Sequence, residues 1–168
     1  GKSISFGMFN KKTDAANLDI SDYILDESGF KLGYGIPLTK NSNLFGESHF
    51  SDINIQCSDK FAGELYEQQQ CSSNNSLDFT LNLDYIDNTL NDFFNPTKGY
   101  KQRLSSSLAL PLADFQYYKL ESRNISYKPI LMYSTISTKF NLQLAQGYGG
   151  KELPFFKRYF GGGASSVR

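Results

Sequence analysis

The sequence predicts an all-β fold, specifically part of a transmembrane antiparallel up-and-down β-barrel with about seven strands. Three observations predict it. Segment after segment alternates apolar and polar side chains with period two, a spacing that no helix sorts into faces. Aromatic residues make up 15% of a chain that is only 39% hydrophobic (Phe 14, Tyr 11, no Trp), as expected for aromatic girdles around a polar lumen. No apolar run approaches the roughly 18 residues of a membrane-spanning helix, whereas a barrel hides its hydrophobicity in alternate residues.

The strands follow in order. Ile4, Phe6 and Met8 alternate with Ser3, Ser5 and Gly7. Phe30, Leu32, Tyr34, Ile36 and Leu38 oppose Lys31, Gly33 and Gly35. Residues 44–55 set Leu44, Gly46, Ser48 and Phe50 against Phe45, Glu47, His49 and Ser51. The cleanest segment, 77–85, sets Leu77, Phe79, Leu81, Leu83 and Tyr85 against Asp78, Thr80, Asn82 and Asp84. Residues 104–112 place Leu104, Ser106, Leu108, Leu110 and Leu112 opposite Arg103, Ser105, Ser107 and Ala109. Residues 116–128 carry Lys119, Glu121 and Arg123 on one face and Tyr118, Leu120, Ser122 and Asn124 on the other. Ile136, Thr138, Phe140, Leu142 and Leu144 oppose Ser137, Lys139, Asn141 and Gln143. Only 60–70 leaves room for a helical turn or two.

The connections alternate as well. Residues 10–28, 58–76 and 147 onward are long, as outside loops are, while 39–43 and 128–131 are short, as periplasmic turns are. Residues 88–98 are intermediate, and 113–116 is an outside connection that is unexpectedly short. Seven strands leave two unpaired edges, which a bilayer cannot satisfy, so the chain reads as an open portion of a barrel, one partial barrel domain over 1–168.

Composition narrows the functions. Lys+Arg 17 balances Asp+Glu 17, which argues against nucleic acid as a partner. One His and two Cys remove most zinc, haem and iron–sulfur sites, and no cofactor is expected. The opening Gly1-Lys2-Ser3-Ile4 lacks the basic-then-apolar order of a secretory signal. Ser165-Ser166 lacks the Gly-x-Ser-x-Gly elbow of a nucleophile, and His49 beside Glu47 on a lumen face reads as a hydrated polar contact. No constellation supports an enzyme.

The C-terminal stretch is the most specific. Gly149-Gly150-Lys151-Glu152-Leu153-Pro154-Phe155-Phe156, then Tyr159-Phe160-Gly161-Gly162-Gly163-Ala164-Ser165-Ser166-Val167-Arg168, resembles strand eleven and the start of the sixth extracellular loop in the BamA family of outer-membrane protein assembly factors (the POTRA-barrel insertases). Phe93-Phe94-Asn95-Pro96-Thr97-Lys98-Gly99-Tyr100 resembles that family's periplasmic turn, an aromatic followed by Pro-Thr-x-Gly. Tyr117-Tyr118-Lys119, Tyr127-Lys128-Pro129-Ile130 and Leu18-Asp19-Ile20-Ser21-Asp22-Tyr23 agree in register, covering strands five to eleven of sixteen.

The resemblance implies a bacterial outer-membrane protein that folds and inserts other β-barrel proteins. Its partners would be membrane lipid, client outer-membrane proteins and accessory assembly lipoproteins, the last mostly through regions outside this chain. A related secretion transporter or passive channel of the same barrel superfamily is the alternative, and a soluble β-sandwich binding module a more distant one. The resemblance also makes Gly161, Gly162, Gly163, Ser165, Ser166, Val167 and Arg168 a lumen-inserted motif. Arg168 would anchor it, since a planar guanidinium can bond several carboxylate or carbonyl oxygens in a narrow pore. The wall carboxylates expected to receive it are Glu47, Asp78, Asp84 and Glu121, with Phe155, Phe156, Tyr159 and Phe160 as apolar anchors. Cys57 and Cys71 flank one polar outside loop, and an oxidising periplasm favours a disulfide between them. Two free thiols are the alternative.

Overall fold

The computed structural model describes residues 1–14, 23–57, 75–131 and 134–159. Seven strands run β1 (Ser3–Asp14), β2 (Tyr23–Pro37), β3 (Ser42–Cys57), β4 (Ser76–Asn88), β5 (Gly99–Ala109), β6 (Tyr117–Leu131) and β7 (Ser134–Gly147). They form one sheet in sequence order, β1-β2-β3-β4-β5-β6-β7, and every neighbouring pair is antiparallel. The up-and-down topology is the one the hairpin rhythm predicts. A single 3-10 turn, Phe155–Lys157, follows the last strand.

Period-two alternation sorts the two faces. Cross-strand register aligns Phe6, Leu32, Ser48, Leu81 and Leu108 in one row, and Ile4, Tyr34, Gly46, Leu83, Ser106, Leu120 and Leu144 in the next. These leucines and aromatics are largely exposed, Phe6 at 63% and Leu81 at 43%. Apolar side chains outside and polar ones inside are what a lipid-facing wall requires. Phe30 stacks on Phe50 (5.3 Å between centroids), which leans on Phe79 (6.3 Å), continuing the band across three strands.

The opposite face holds the core, formed by Tyr23, Ile53, Ile55, Ala109, Phe115, Tyr117 and Phe155. It lies at the end of the sheet where the long connections emerge. A small neighbour is required lower down, where a Cβ on Gly33 would come within 2.5 Å of the Phe45 ring.

Three element boundaries differ from expectation. Residues 10–28 read as loop, yet β1 continues to Asp14 and β2 begins at Tyr23. Above the bilayer the outer face meets water and the apolar side chains turn to the concave core, so the lipid-face alternation disappears while the backbone ladder persists. There Lys12 Nζ reaches Asp26 Oδ2 across the pair at 3.9 Å. The fifth strand lies at Gly99–Ala109 instead of 104–112. Pro111 cannot donate to a ladder, and the chain turns after the Leu110 N–H donates to the Phe79 carbonyl at 2.8 Å. Residues 128–131 were expected as a turn but complete β6, with a register shift between Pro129 and Leu131 of the kind that admits a proline. The possible helical turns in 60–70 lie outside the described residues.

The short connection after β5 is held from below. Leu77 N–H donates to the Asp114 carboxylate at 2.7 Å, and Asp114 N–H donates to the Leu77 carbonyl at 3.0 Å. The turn after β4 is built on two side chains. Asn91 Oδ1 accepts from the Thr97 and Lys98 N–H groups (3.0 and 2.9 Å), and Asp92 Oδ1 from those of Phe94 and Asn95 (2.8 and 2.9 Å). Gly99 closes this turn at φ +105°, where a Cβ would meet the Thr89 carbonyl oxygen at 2.3 Å. That explains the glycine of the Pro-Thr-x-Gly stretch.

Candidate functional site: the concave wall and the returning segment

After β7 the chain reverses through Gly149 and Gly150, both at positive φ, and crosses back over the concave face. Pro154 and Phe155 are buried there. Phe155 meets Tyr23 edge-on at 5.0 Å, and Phe156 meets Phe115 at 5.4 Å. Full burial of one such ring contributes roughly 1.5–3 kcal/mol, so the two rings fasten the segment. Tyr159 receives the Lys119 ammonium over its ring, 4.1 Å from the centroid.

The apolar contacts surround a charge. Lys157 Nζ lies 3.2 Å from Asp78 Oδ2 and 3.8 Å from Glu27 Oε1. Tyr117 donates its hydroxyl to the same Asp78 oxygen at 3.0 Å. Ser51 donates to Glu27 at 3.1 Å. Asp78 is fully buried, so a facing cation is what makes an ionised carboxylate tolerable at that depth. Four strands contribute to this group: β2 through Glu27, β3 through Ser51, β4 through Asp78 and β6 through Tyr117.

The other three expected wall carboxylates also face the concave side, but each is answered within the sheet. Asp84 accepts from Arg103 Nη2 and Nε at 2.9 and 3.0 Å, and from Ser105. Glu121 accepts from Arg123 and, at 2.8 Å, from Gln143. Glu47 contacts His49 and lies 3.9 Å from Lys31 Nζ, which places His49 in the polar contact its position suggested. Lys157 is the residue that sequence reasoning missed. A lysine set among aromatics in Phe155-Phe156-Lys157-Arg158-Tyr159 was the available signal.

The predicted motif residues Gly161, Gly162, Gly163, Ser165, Ser166, Val167 and Arg168 lie outside the described residues, as does Phe160. Cys57 is the last residue of β3, opposite Tyr23; Cys71 lies outside the described residues. Among the described residues no cluster of three or more His, Cys, Asp or Glu could hold a metal ion.

An apolar convex belt, a charged concave face and a segment folded back over that face define a wall of an outer-membrane β-barrel whose lumen is entered by its own chain. A family model described as the Omp85 superfamily domain matches residues 1–168, and the chain belongs to that superfamily. It is 36% identical over 74 residues to outer membrane protein assembly factor BamA of Neisseria meningitidis, a stretch covering 44% of this chain and 9% of that protein. Its fold is similar to BamA from Haemophilus ducreyi lacking POTRA domains 1-3, with a TM-score of 0.83 and 24% identity, over 100% of this chain and 34% of that one. The chain thus spans about a third of the solved relative, and its matched stretch about a tenth of the Neisseria protein.

Proposed function

We propose that this chain is the central wall of an outer-membrane protein assembly factor, which folds β-barrel clients and inserts them into the outer membrane. The likeness of the whole chain to a BamA barrel, at a TM-score of 0.83, carries this reading. Identity to a protein named as an assembly factor supports it. Six antiparallel ladders, broken in register only near Pro129 among the described residues, make the wall stiff, so the opening that admits clients would lie at strands beyond β1 and β7. The partners are then client barrel proteins and membrane lipid, with accessory lipoproteins bound mainly by other regions. The work is done by non-covalent binding and a locally altered bilayer, without a cofactor.

In this reading residues 161–168 continue from the Lys157 anchor into the lumen, the glycines bending the chain and Arg168 making the terminal contact. Because Asp84, Glu121 and Glu47 already have cations beside them, Arg168 would share these carboxylates or reach carbonyl oxygens. An Arg168→Lys variant should therefore rescue only partly, since an ammonium lacks the guanidinium fork.

The test is depletion of the full-length protein in its own bacterium. Assembly predicts a broad fall in folded outer-membrane barrel proteins, restored by the wild type and poorly by Arg168→Ala. Normal barrel levels with one secreted protein retained inside would reject it in favour of a secretion transporter.

A further inference from the structure

We propose that the convex face carries a seat for a single zwitterionic glycerophospholipid of the periplasmic leaflet, with one acyl chain in a groove across β4–β7 and the headgroup on the polar row beneath it. The groove, about 480 Å³, is lined by Leu83, Leu104, Ser106, Leu120, Ser122 and Leu142, among others. Its floor is low because two small residues interrupt the leucine belt. Ser106 lies between Leu83 and Leu120, and Ser122 between Leu104 and Leu142. Ser106 Oγ is turned to the Leu83 carbonyl at 3.5 Å, which leaves its methylene facing the groove.

The occupant follows from what surrounds the groove. It lies within the lipid-facing belt, reaching the last strand β7 through Leu142 and Leu144, so an acyl chain is the apolar group available to fill it. Two residues lower on the same face the register changes character to Asp87, Gln102, Asn124 and Phe140. Tyr100 donates its hydroxyl to Asp87 at 2.9 Å, and Lys128 stands exposed below Ser126. This end bears the tight turns and so faces the periplasm. One carboxylate and two amides in the Asp87 row, with a phenol one row and a lysine two rows nearer the periplasm, match an ammonium joined to a phosphodiester better than a purely anionic headgroup. The neighbouring groove over Gly46 and Ser48, about 610 Å³, shares only Asp87 of that footing, as the register partner of Ser42. Beneath it the Thr39 and Ser42 hydroxyls bond one another at 2.7 Å.

The experiment is native mass spectrometry of the full-length protein in mild detergent, titrated with phosphatidylethanolamine or phosphatidylglycerol. It is run on wild type, S106L/S122L and Q102L/N124L, with heat-modifiable gel mobility reporting folding. Its readout is independent of assembly activity. We expect wild type to prefer the ethanolamine lipid and the filled groove to lower its retention roughly tenfold, the ratio expected when about two methylene groups lose their burial. Q102L/N124L should keep binding lipid but lose the preference. Unchanged retention by the filled groove, or a wild-type preference for the glycerol lipid, would overturn the proposal. So would a filled-groove variant that changes oligomeric state with lipid retention unaltered, since the groove would then seat a second protein. Should S106L/S122L fail to fold, S106V/S122V is read by the same criteria.

Discussion

Lys157 Nζ stands 3.2 Å from Asp78 Oδ2, joining a segment that follows the last strand to the middle strand of the sheet. The pair is lopsided. Asp78 is fully buried, with Oδ1 lacking a hydrogen-bond partner among the described residues, whereas Lys157 keeps 20% of its side chain exposed. The carboxylate therefore depends on the lysine more than the lysine depends on it.

That asymmetry sets the first prediction. Lys157→Met should leave an uncompensated buried charge and cost about 3 kcal/mol. Adding Asp78→Asn should recover most of the loss, because the charge needing a partner is then gone. The unfolding midpoint from heat-modifiable gel mobility measures the cost, and protease cleavage within 153–159 measures release of the segment. Equal destabilisation of the single and double variants would show that the segment is held by Phe155 and Phe156 alone.

The two faces of β4 give a second prediction. Leu81 belongs to the convex belt at 43% exposure, while Asn82 faces the lumen, opposite Glu47 in the ladder. Leu81→Arg should cost about 2–4 kcal/mol in a bilayer, as arginine does on the lipid face of a barrel. Asn82→Arg should be mild, since a cation there has Glu47 as a neighbour. Folding titrations in lipid vesicles separate the two; equal costs would reverse the assignment of faces.

Asp92 makes the turn after β4 sensitive to acid. The N–H donors of Asn95 and Phe94 hold its carboxyl below the ordinary carboxylate range. A carboxyl depressed in the folded state contributes stability above its unfolded pKa of about 3.9, and that contribution is lost as pH falls through the lower folded value. Amide exchange at Phe94 and Asn95, corrected for intrinsic rates, should stay slow at neutral pH and quicken only below about pH 4. Asp92→Asn keeps an acceptor oxygen and should abolish the pH dependence while retaining the turn.

A fourth prediction concerns the outside loop after β3. If Cys57 and Cys71 are bonded, neither thiol should alkylate without reductant, and their Cα atoms should lie about 4.4–6.8 Å apart. For a loop of this length the bond would contribute roughly 3 kcal/mol on the chain-entropy account. Complete alkylation of both thiols in the native protein would remove it.

How much of this was legible in the sequence varied with surroundings. Residues 77–85 were readable because one face meets lipid and the other the lumen, so each side chain declares its side. Tyr23, Leu25 and Glu27 were lost in an expected loop because a strand rising above the bilayer has no lipid face, and its few apolar side chains turn instead to the concave core. The fifth strand was displaced by Leu110 and Leu112, which continue the alternation past Pro111 although the backbone has already turned. The return over the concave wall was expected, and Phe155, Phe156 and Tyr159 lie on it. The charge that fastens it was assigned to Arg168 alone, since composition cannot show that Asp84, Glu121 and Glu47 are met inside the sheet while Asp78 faces Lys157.

The central claim is that this wall belongs to a protein that assembles other barrels. The most direct measurement reconstitutes the full-length protein into lipid vesicles and follows an unfolded β-barrel client by its folded, heat-modifiable gel band. The account predicts markedly faster client folding than in empty vesicles, slowed by Lys157→Met and restored by the added Asp78→Asn. Client folding no faster than in empty vesicles, accompanied by leakage of small solutes, would contradict it and identify a passive channel.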